Sequence, residues 1–216
     1  MHRLARGVWR NLALAAPLAL AACSRPDVDR LRATTQATYD PATGRLVRLT
    51  YDADGNGRVD TWTYMDGPRV IRSERDTDED GRIDRWEHYD AEGRLEKVGL
   101  SRAGDGRPDA WAYQDAGGGL ARLEVSTRRD GKIDRWEHYV NGALARVEED
   151  TTADGRPDKW EVFGPDGALE SVAFDEDGDG RPDRRLIYGP DGAVRVAGAV
   201  SPAPILGQRA GVRPRR

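Results

Sequence analysis

The sequence predicts an all-β protein, an antiparallel β-meander of about six hairpin repeats of 24–25 residues with acidic loops between the hairpins. Three observations carry this. Gly57-Arg58-Val59-Asp60-Thr61-Trp62 returns in related form at Gly81, Gly106, Gly131, Gly155 and Gly180, in steps of 24, 25, 25, 24 and 25 residues. A fixed period of this size is the signature of stacked structural units. Between these copies lie turn signals in a second common phase, at Gly44, Gly93, Gly142, Gly167 and Gly192. Gly, Pro and clustered Asp recur too often through the repeats for a good helix.

Each element follows from local chemistry. Turns such as Asp90-Ala91-Glu92-Gly93 and Gly164-Pro165-Asp166-Gly167 combine a capping carboxylate with a residue that accepts positive φ. The segments they join are short and partly alternating, as in Trp86-Glu87-His88-Tyr89 and Leu95-Glu96-Lys97-Val98, which is strand periodicity. A repeat is therefore strand, tight turn, strand, acidic loop. Two strands per repeat are too few for a propeller blade. Five of the six tryptophans, Trp62, Trp86, Trp111, Trp136 and Trp160, share one repeat position. With the Tyr and Leu/Val positions they are expected to form one thin apolar stripe, leaving Arg, Glu and His on the wet face. The chain is 38% hydrophobic and 33% charged, with a mean hydropathy of −0.76. That composition suits a thin repeat array better than a thick core. The repeat domain is placed at 39–194.

The acidic loops carry the chemistry. Asp76, Asp78, Asp80, Asp84 and Glu87 stand at positions 1, 3, 5, 9 and 12 of a twelve-residue segment with Gly81 at position 6. This spacing resembles the calcium loop of EF-hands at each side-chain ligand position. The resemblance implies bound Ca²⁺, which takes six to eight oxygens at about 2.3–2.6 Å. Asp52, Asp54, Asn56 and Asp60 repeat the pattern, with Thr63 in place of the closing acid. Asp175, Asp177, Asp179 and Asp183 repeat it with Leu186 there, and Asp150, Asp154, Asp158 and Glu161 repeat it with Thr152 at position 3. Two loops diverge: one has Ser101 and Ala103 beside Asp105 and Asp109, the other Ser126 and Arg128 beside Asp130, Asp134 and Glu137. An arginine at a ligand position repels a cation, so no metal is expected in the latter. The flanks hold turns where an EF-hand has helices, so only the loop is carried over, and a structural ion is expected rather than a sensor.

Tyr39-Asp40-Pro41-Ala42-Thr43-Gly44-Arg45-Leu46 and Tyr89-Asp90-Ala91-Glu92-Gly93-Arg94-Leu95 resemble the tyrosine–aspartate repeats of Rhs-type proteins. That implies hairpin strands. The chain is too short for the toxin-enclosing shell of that family, and an accessory role beside such a system is an alternative.

The first ten residues carry Arg3, Arg6 and Arg10 without an acid, and an apolar stretch then ends at Leu20-Ala21-Ala22-Cys23. This is the layout of a secretory signal, 1–22. Its end resembles the lipobox of bacterial lipoproteins, which implies that Cys23, the one cysteine of the chain, is acylated and anchors the protein to a membrane. Ser24 follows, and in that family this favours the outer membrane of a Gram-negative envelope. Residues 23–38 then serve as the tether, and the Pro-, Gly- and Arg-rich 195–216 is expected to be a disordered basic tail.

Charge excludes one partner class. Without Arg3, Arg6 and Arg10 the Lys+Arg total falls from 34 to 31 against 38 Asp+Glu, a net charge of −7. Without the five arginines of 195–216 as well, it is 26 against 38, or −12. An acidic body is not a nucleic-acid binder. Nor does the chain carry a nucleophilic cysteine, a phosphate loop or a zinc cluster. His88 and His138 recur in Arg-Trp-Glu-His-Tyr as strand positions, so no enzyme is expected. The reading is a lipid-anchored, calcium-stabilised repeat acting as a binding or scaffold module of the cell envelope, its partner a protein or a polysaccharide. The rival is a metal-free interaction repeat.

Overall fold

The computed structural model describes residues 32–198. The signal segment 1–22, Cys23 and the chain beyond 198 lie outside the described residues. The strands are β1 (Gln36–Tyr39), β2 (Leu46–Tyr51), β3 (Thr61–Asp66), β4 (Arg69–Arg75), β5 (Arg85–Tyr89), β6 (Leu95–Leu100) and β7 (Ala110–Gln114), followed by β8 (Leu120–Val125), β9 (Arg135–Val140), β10 (Ala143–Glu149), β11 (Lys159–Phe163), β12 (Leu169–Phe174), β13 (Arg184–Tyr188) and β14 (Val194–Gly198). They form one open 14-stranded sheet in strict sequence order, each strand antiparallel to the next. The predicted meander is thus the fold, with seven hairpins where about six were expected. It extends past the predicted bounds of 39 and 194, because Gln36–Tyr39 pairs with β2 and Arg195–Gly198 pairs with β13.

Six of the seven hairpins carry a register shift one or two residues from the turn, as between Tyr64 and Met65 or His88 and Tyr89. A bulge at a constant place re-aims the residues next to the turn in every repeat. The turns differ in detail. Asn141-Gly142, both at positive φ, is the two-residue turn that matches strand twist. In the longer turns a carboxylate receives backbone donors, as Asp90 Oδ1 does from Glu92 N and Arg94 N at 3.0 and 2.8 Å.

Alternation along each strand sorts the side chains onto two faces, and here one expectation is corrected. Trp86 lies opposite Glu74 and Gly99, and Trp111 opposite Gly99 and Glu124. Val98 instead lies opposite Glu87 and Ala112, and Val147 opposite Glu137 and Glu161. The tryptophans therefore occupy one face, and Val98, Leu123, Val147 and Val172 the other. Trp and the following Glu are sequence neighbours, which a pleated strand must place on opposite sides. No second layer covers either face among the described residues, since strands pack substantially only on their sequence neighbours. The buried apolar residues are few: Ala110, Val125, Val147, Trp160, Val172 and Ala173.

Charged ladders supply what the small core does not. On the valine face Arg135 pairs with Glu137 at 2.7 Å and with Glu149. Lys159 joins Glu149 and Glu161 at 2.8 and 2.7 Å, which gives a continuous chain of alternating charge across β9, β10 and β11. On the tryptophan face Arg72 pairs with Glu74 at 3.0 Å and lies 3.9 Å from the centre of the Tyr64 ring. Linked pairs of this kind add more than isolated surface ion pairs do. Where a tryptophan crosses its neighbour, space is limiting: a Cβ on Gly99 would stand 2.8 Å from the Trp111 ring, so only glycine lets that indole lie against the backbone.

Tyr89 and Glu87 share the valine face near the turn, and the phenol donates to Glu87 Oε2 at 2.8 Å. Burial, and then the bond to Glu87, push the Tyr89 phenol from 10.0 up to about 12. Folding favours the neutral form, so this contribution is complete below pH 10 and is lost as pH rises through the folded value. Tyr139 and Tyr113 are raised for the same reasons, so an ultraviolet absorbance titration should show several late-ionising phenols, one fewer in Tyr89→Phe. Ionisation of Tyr89 at the ordinary value in the folded protein would contradict the bond.

Candidate metal centres in the inter-hairpin loops

The alternating connections place all six long loops on one end of the sheet and all hairpin turns on the other. Loops 1 to 6 are 52–60, 76–84, 101–109, 126–134, 150–158 and 175–183. Successive loops are two strands apart, about 9.6 Å at ordinary strand spacing. Backbone bonds lock them into a row. The position-1 amide of each loop donates to the position-9 carbonyl of the one before, as from Asp76 to Asp60 at 2.9 Å and from Ser126 to Asp109 at 2.8 Å.

Two side-chain acceptors close the turn in every loop, and a third joins them in four. The position-9 carboxylate accepts the position-2 amide, as Asp60 does from Ala53 and Asp84 from Thr77, at 2.8 and 2.7 Å. The position-5 side chain accepts the position-7 amide, as Asn56, Asp80, Asp154 and Asp179 do, each at 2.8 Å. Where position 1 is an acid it accepts the Gly amide at position 6: Asp52 at 2.7 Å, Asp76 at 2.9 Å, Asp150 at 2.8 Å and Asp175 at 2.7 Å. This explains why the divergent loops keep Asp105, Asp109, Asp130 and Asp134: these residues hold the turn. The position-6 glycine is needed for its backbone, with φ +91° at Gly81 and open space where a Cβ would stand.

Position 4 also has positive φ in every loop, and in three it is not glycine: Glu79 at +59°, Arg129 at +57° and Ala153 at +65°. Residue type does not betray this requirement, because the residues at position 4 differ from loop to loop. A non-glycine residue there is strained by about 1–2 kcal/mol. Ala153→Gly relieves that strain but frees the unfolded chain, so a net gain of several tenths of a kcal/mol is expected in loop 5, measurable as slower amide exchange at 150–158. A loss of protection would show that Ala153 is not strained.

Three acidic groups converge: Asp52, Asp54 and Asp60; Asp76, Asp78 and Asp84; and Asp175, Asp177 and Asp183. In each, one carboxylate oxygen per residue lies within 4.8 Å of the other two. These are positions 1, 3 and 9 of loops 1, 2 and 6. The other predicted ligands stand differently. Asn56, Asp80 and Asp179 hold their turns. In loop 5 Asp154 holds the turn, and Asp150 and Asp158 gain no third acid because Thr152 fills position 3. Asp158 is occupied by Thr151 Oγ1 at 2.8 Å and Thr152 N at 2.9 Å. Glu87 and Glu161, the position-12 acids, lie on strands and pair with Arg85 at 2.8 Å and Lys159 at 2.7 Å. Burial raises Glu87, but its bonds to Arg85 and Tyr89 outweigh this and leave it below the ordinary carboxylate value.

Loop 2 fits a cation on a separate observation. Asp76 is 5% exposed. Its Oδ2 takes the Gly81 amide, while Oδ1 is buried and has no donor. A buried carboxylate oxygen left without a partner is costly, and a divalent cation among Asp76, Asp78 and Asp84 is a partner it lacks. Burial also raises Asp52, but the amides of Gly57 and Gly55, the Asp54 side chain and the Asn56 amide outweigh it and hold that acid below its usual range.

No protein-family model and no curated protein matches the chain. Among solved structures, TarM is 12% identical over 48% of this chain and 21% of its own, with a TM-score of 0.36. A TcdB2–TccC3 structure is 14% identical over 72% of this chain and 11% of its own, with a TM-score of 0.22. A porin-like protein from Bacteroides uniformis is 7% identical over 76% of this chain and 93% of its own, with a TM-score of 0.26. The chain spans about a fifth of the length of TarM. Likenesses this low carry no argument about fold or function.

Sequence reasoning missed the couplings between loops. The recurrent Gly-Arg was visible, but not its purpose. Arg58 Nη2 and Arg82 Nη1 each donate at 3.0 Å to the position-4 carbonyl of the next loop, Glu79 and Gly104. The two histidines do not converge. His88 packs 5.7 Å from Trp111, His138 Nε2 lies 3.3 Å from Glu148, and four strands, about 19 Å, separate them.

Proposed function

We propose that the protein is a lipid-anchored, calcium-stabilised β-repeat of the cell envelope that acts as a binding or scaffold module. The observation that carries the calcium reading is the donor-less Oδ1 of buried Asp76 together with the convergence of Asp76, Asp78 and Asp84, a convergence that Asp109, whose buried Oδ2 is also without a donor, does not share. Asp52, Asp54 and Asp60 form a like group in loop 1, and Asp175, Asp177 and Asp183 in loop 6. Main-chain carbonyls and water complete the shell that Ca²⁺ requires. The ion neutralises like charges and ties each loop across the end of two strands. Cys23 is the proposed acylation site, and the outer membrane the proposed location. A sheet that is a single layer among the described residues offers long surfaces to a protein or polysaccharide partner. Catalysis forms no part of this proposal.

The test is a calcium titration of the soluble chain from Ser24 to Arg216 by calorimetry. Three ions at about 10⁻⁴ to 10⁻³ M, the range of extracellular modules, support the reading. A folded protein with no heat at millimolar calcium overturns it in favour of the metal-free repeat. That rival rests on the hydrogen bonds that close every loop, including loops 3 and 4, without an ion.

A further inference from the structure

Five of the six loops meet the same electrostatic demand in one of two ways, while in loop 5 Asp158 is held by Thr151 and Thr152. Position 9 is an aspartate in all six. In loops 3 and 4 it is the most deeply buried, Asp109 at 2% and Asp134 at 3% exposure. A buried carboxylate needs a counter-charge. Neither loop has acids at positions 1 and 3, so neither gathers a group that could hold a cation. Each instead turns an arginine inward. Arg102, at position 2, sets Nε 3.0 Å from Asp109 Oδ1 and donates from Nη2 to the Ser126 carbonyl at 2.8 Å, so the charge of Asp109 is countered although its Oδ2 stays buried without a donor. Arg128, at position 3, sets Nη2 3.2 Å from Asp134 Oδ2. The position-9 acids of loops 1, 2 and 6, namely Asp60, Asp84 and Asp183, pair with no guanidinium or ammonium among the described residues, and there two further carboxylates converge instead.

We infer that the guanidinium groups of Arg102 and Arg128 do in loops 3 and 4 what a divalent cation does in loops 1, 2 and 6. The middle of the sheet is then self-sufficient in charge, while calcium governs loops 1 and 2 on one side and loop 6 on the other. The inference rests on the calcium reading and extends it. Chelation frays the array from its flanks and leaves a central block of strands paired, because repeats lose order locally rather than all at once. A cation can therefore switch the length of the ordered surface.

The test compares the wild-type chain with Ser126→Asp/Arg128→Asp, which gives loop 4 acids at positions 1, 3, 5, 9 and 12. Calcium binding is read by calorimetry and amide exchange site by site, with calcium or with a chelator. In the wild type, protection at 126–134 should be the same in both conditions, while that at 76–84 falls about tenfold or more with chelator. The double variant should bind one more ion than the wild type and make 126–134 calcium-dependent. Arg128→Ala is the second variant: it should weaken 126–134 equally with and without calcium, and Arg128→Lys should restore part of the protection. A wild type that binds three ions, beside a double variant that binds no more, overturns the inference alone. Calcium-dependent protection of 126–134 in the wild type also overturns it. A wild type that binds no ion overturns the calcium reading beneath it.

Discussion

Asp84→Asn is expected to abolish calcium binding at loop 2 while leaving its turn closed, and Asp84→Ala to remove both. The two substitutions separate two roles of one carboxylate. Asp84 Oδ2 accepts Thr77 N at 2.7 Å and Thr77 Oγ1 at 2.6 Å, and the amide oxygen of asparagine can accept both. What asparagine lacks is the charge opposite Asp76 and Asp78. Hydrogen bonds to a charged group contribute about 1.5–3 kcal/mol each, so the alanine variant loses local stability even in chelator. An ion present at about 100 times its Kd adds about 2.7 kcal/mol at its site, and both variants lose that. Amide exchange across 76–86, with and without calcium, reads both terms. Wild-type calcium affinity in Asp84→Asn would exclude loop 2 as a binding site.

Trp160→Ala should be the most damaging single change in the sheet. Trp160 is 7% exposed, the most buried tryptophan of the row, and lies in register with Glu148 and Ala173. Removing a buried tryptophan costs about 3–5 kcal/mol. The lower end applies here, because water can reach a single-layer sheet and partly fill the space. The loss should centre on β10 to β12, and strands far along the chain such as β3 and β4 should keep their protection, since each strand packs substantially only on its sequence neighbours. Uniform loss of protection across the sheet would mean that the array unfolds as one unit, contrary to the architecture.

Much of this was written into the chain itself. The 24–25-residue period, the Gly and Asp turn signals and the short alternating segments determined the antiparallel meander. Local chemistry suffices when every strand pairs with its sequence neighbour. The acidic phase of loops 1, 2 and 6 determined the converging aspartates, because a loop that winds tightly around Gly57, Gly81 or Gly180 brings every second side chain to one place. Cys23 and the segment before it carry the anchor reading through sequence alone.

Only the tertiary structure decided the rest. Position 12 of the calcium spacing is a loop residue only if the chain keeps winding. Here it has entered a strand, and pleating turns Glu87 toward Arg85 and Tyr89. Pleating likewise parted the tryptophans from the valines, which a count of apolar residues had merged. The positive φ at Glu79, Arg129 and Ala153 was invisible because it belongs to backbone shape and not to residue type. The pairing of Arg102 with Asp109 and of Arg128 with Asp134 was decided last. An arginine at a loop position can turn out to water or in toward a buried carboxylate, and the packing of neighbouring loops makes that choice.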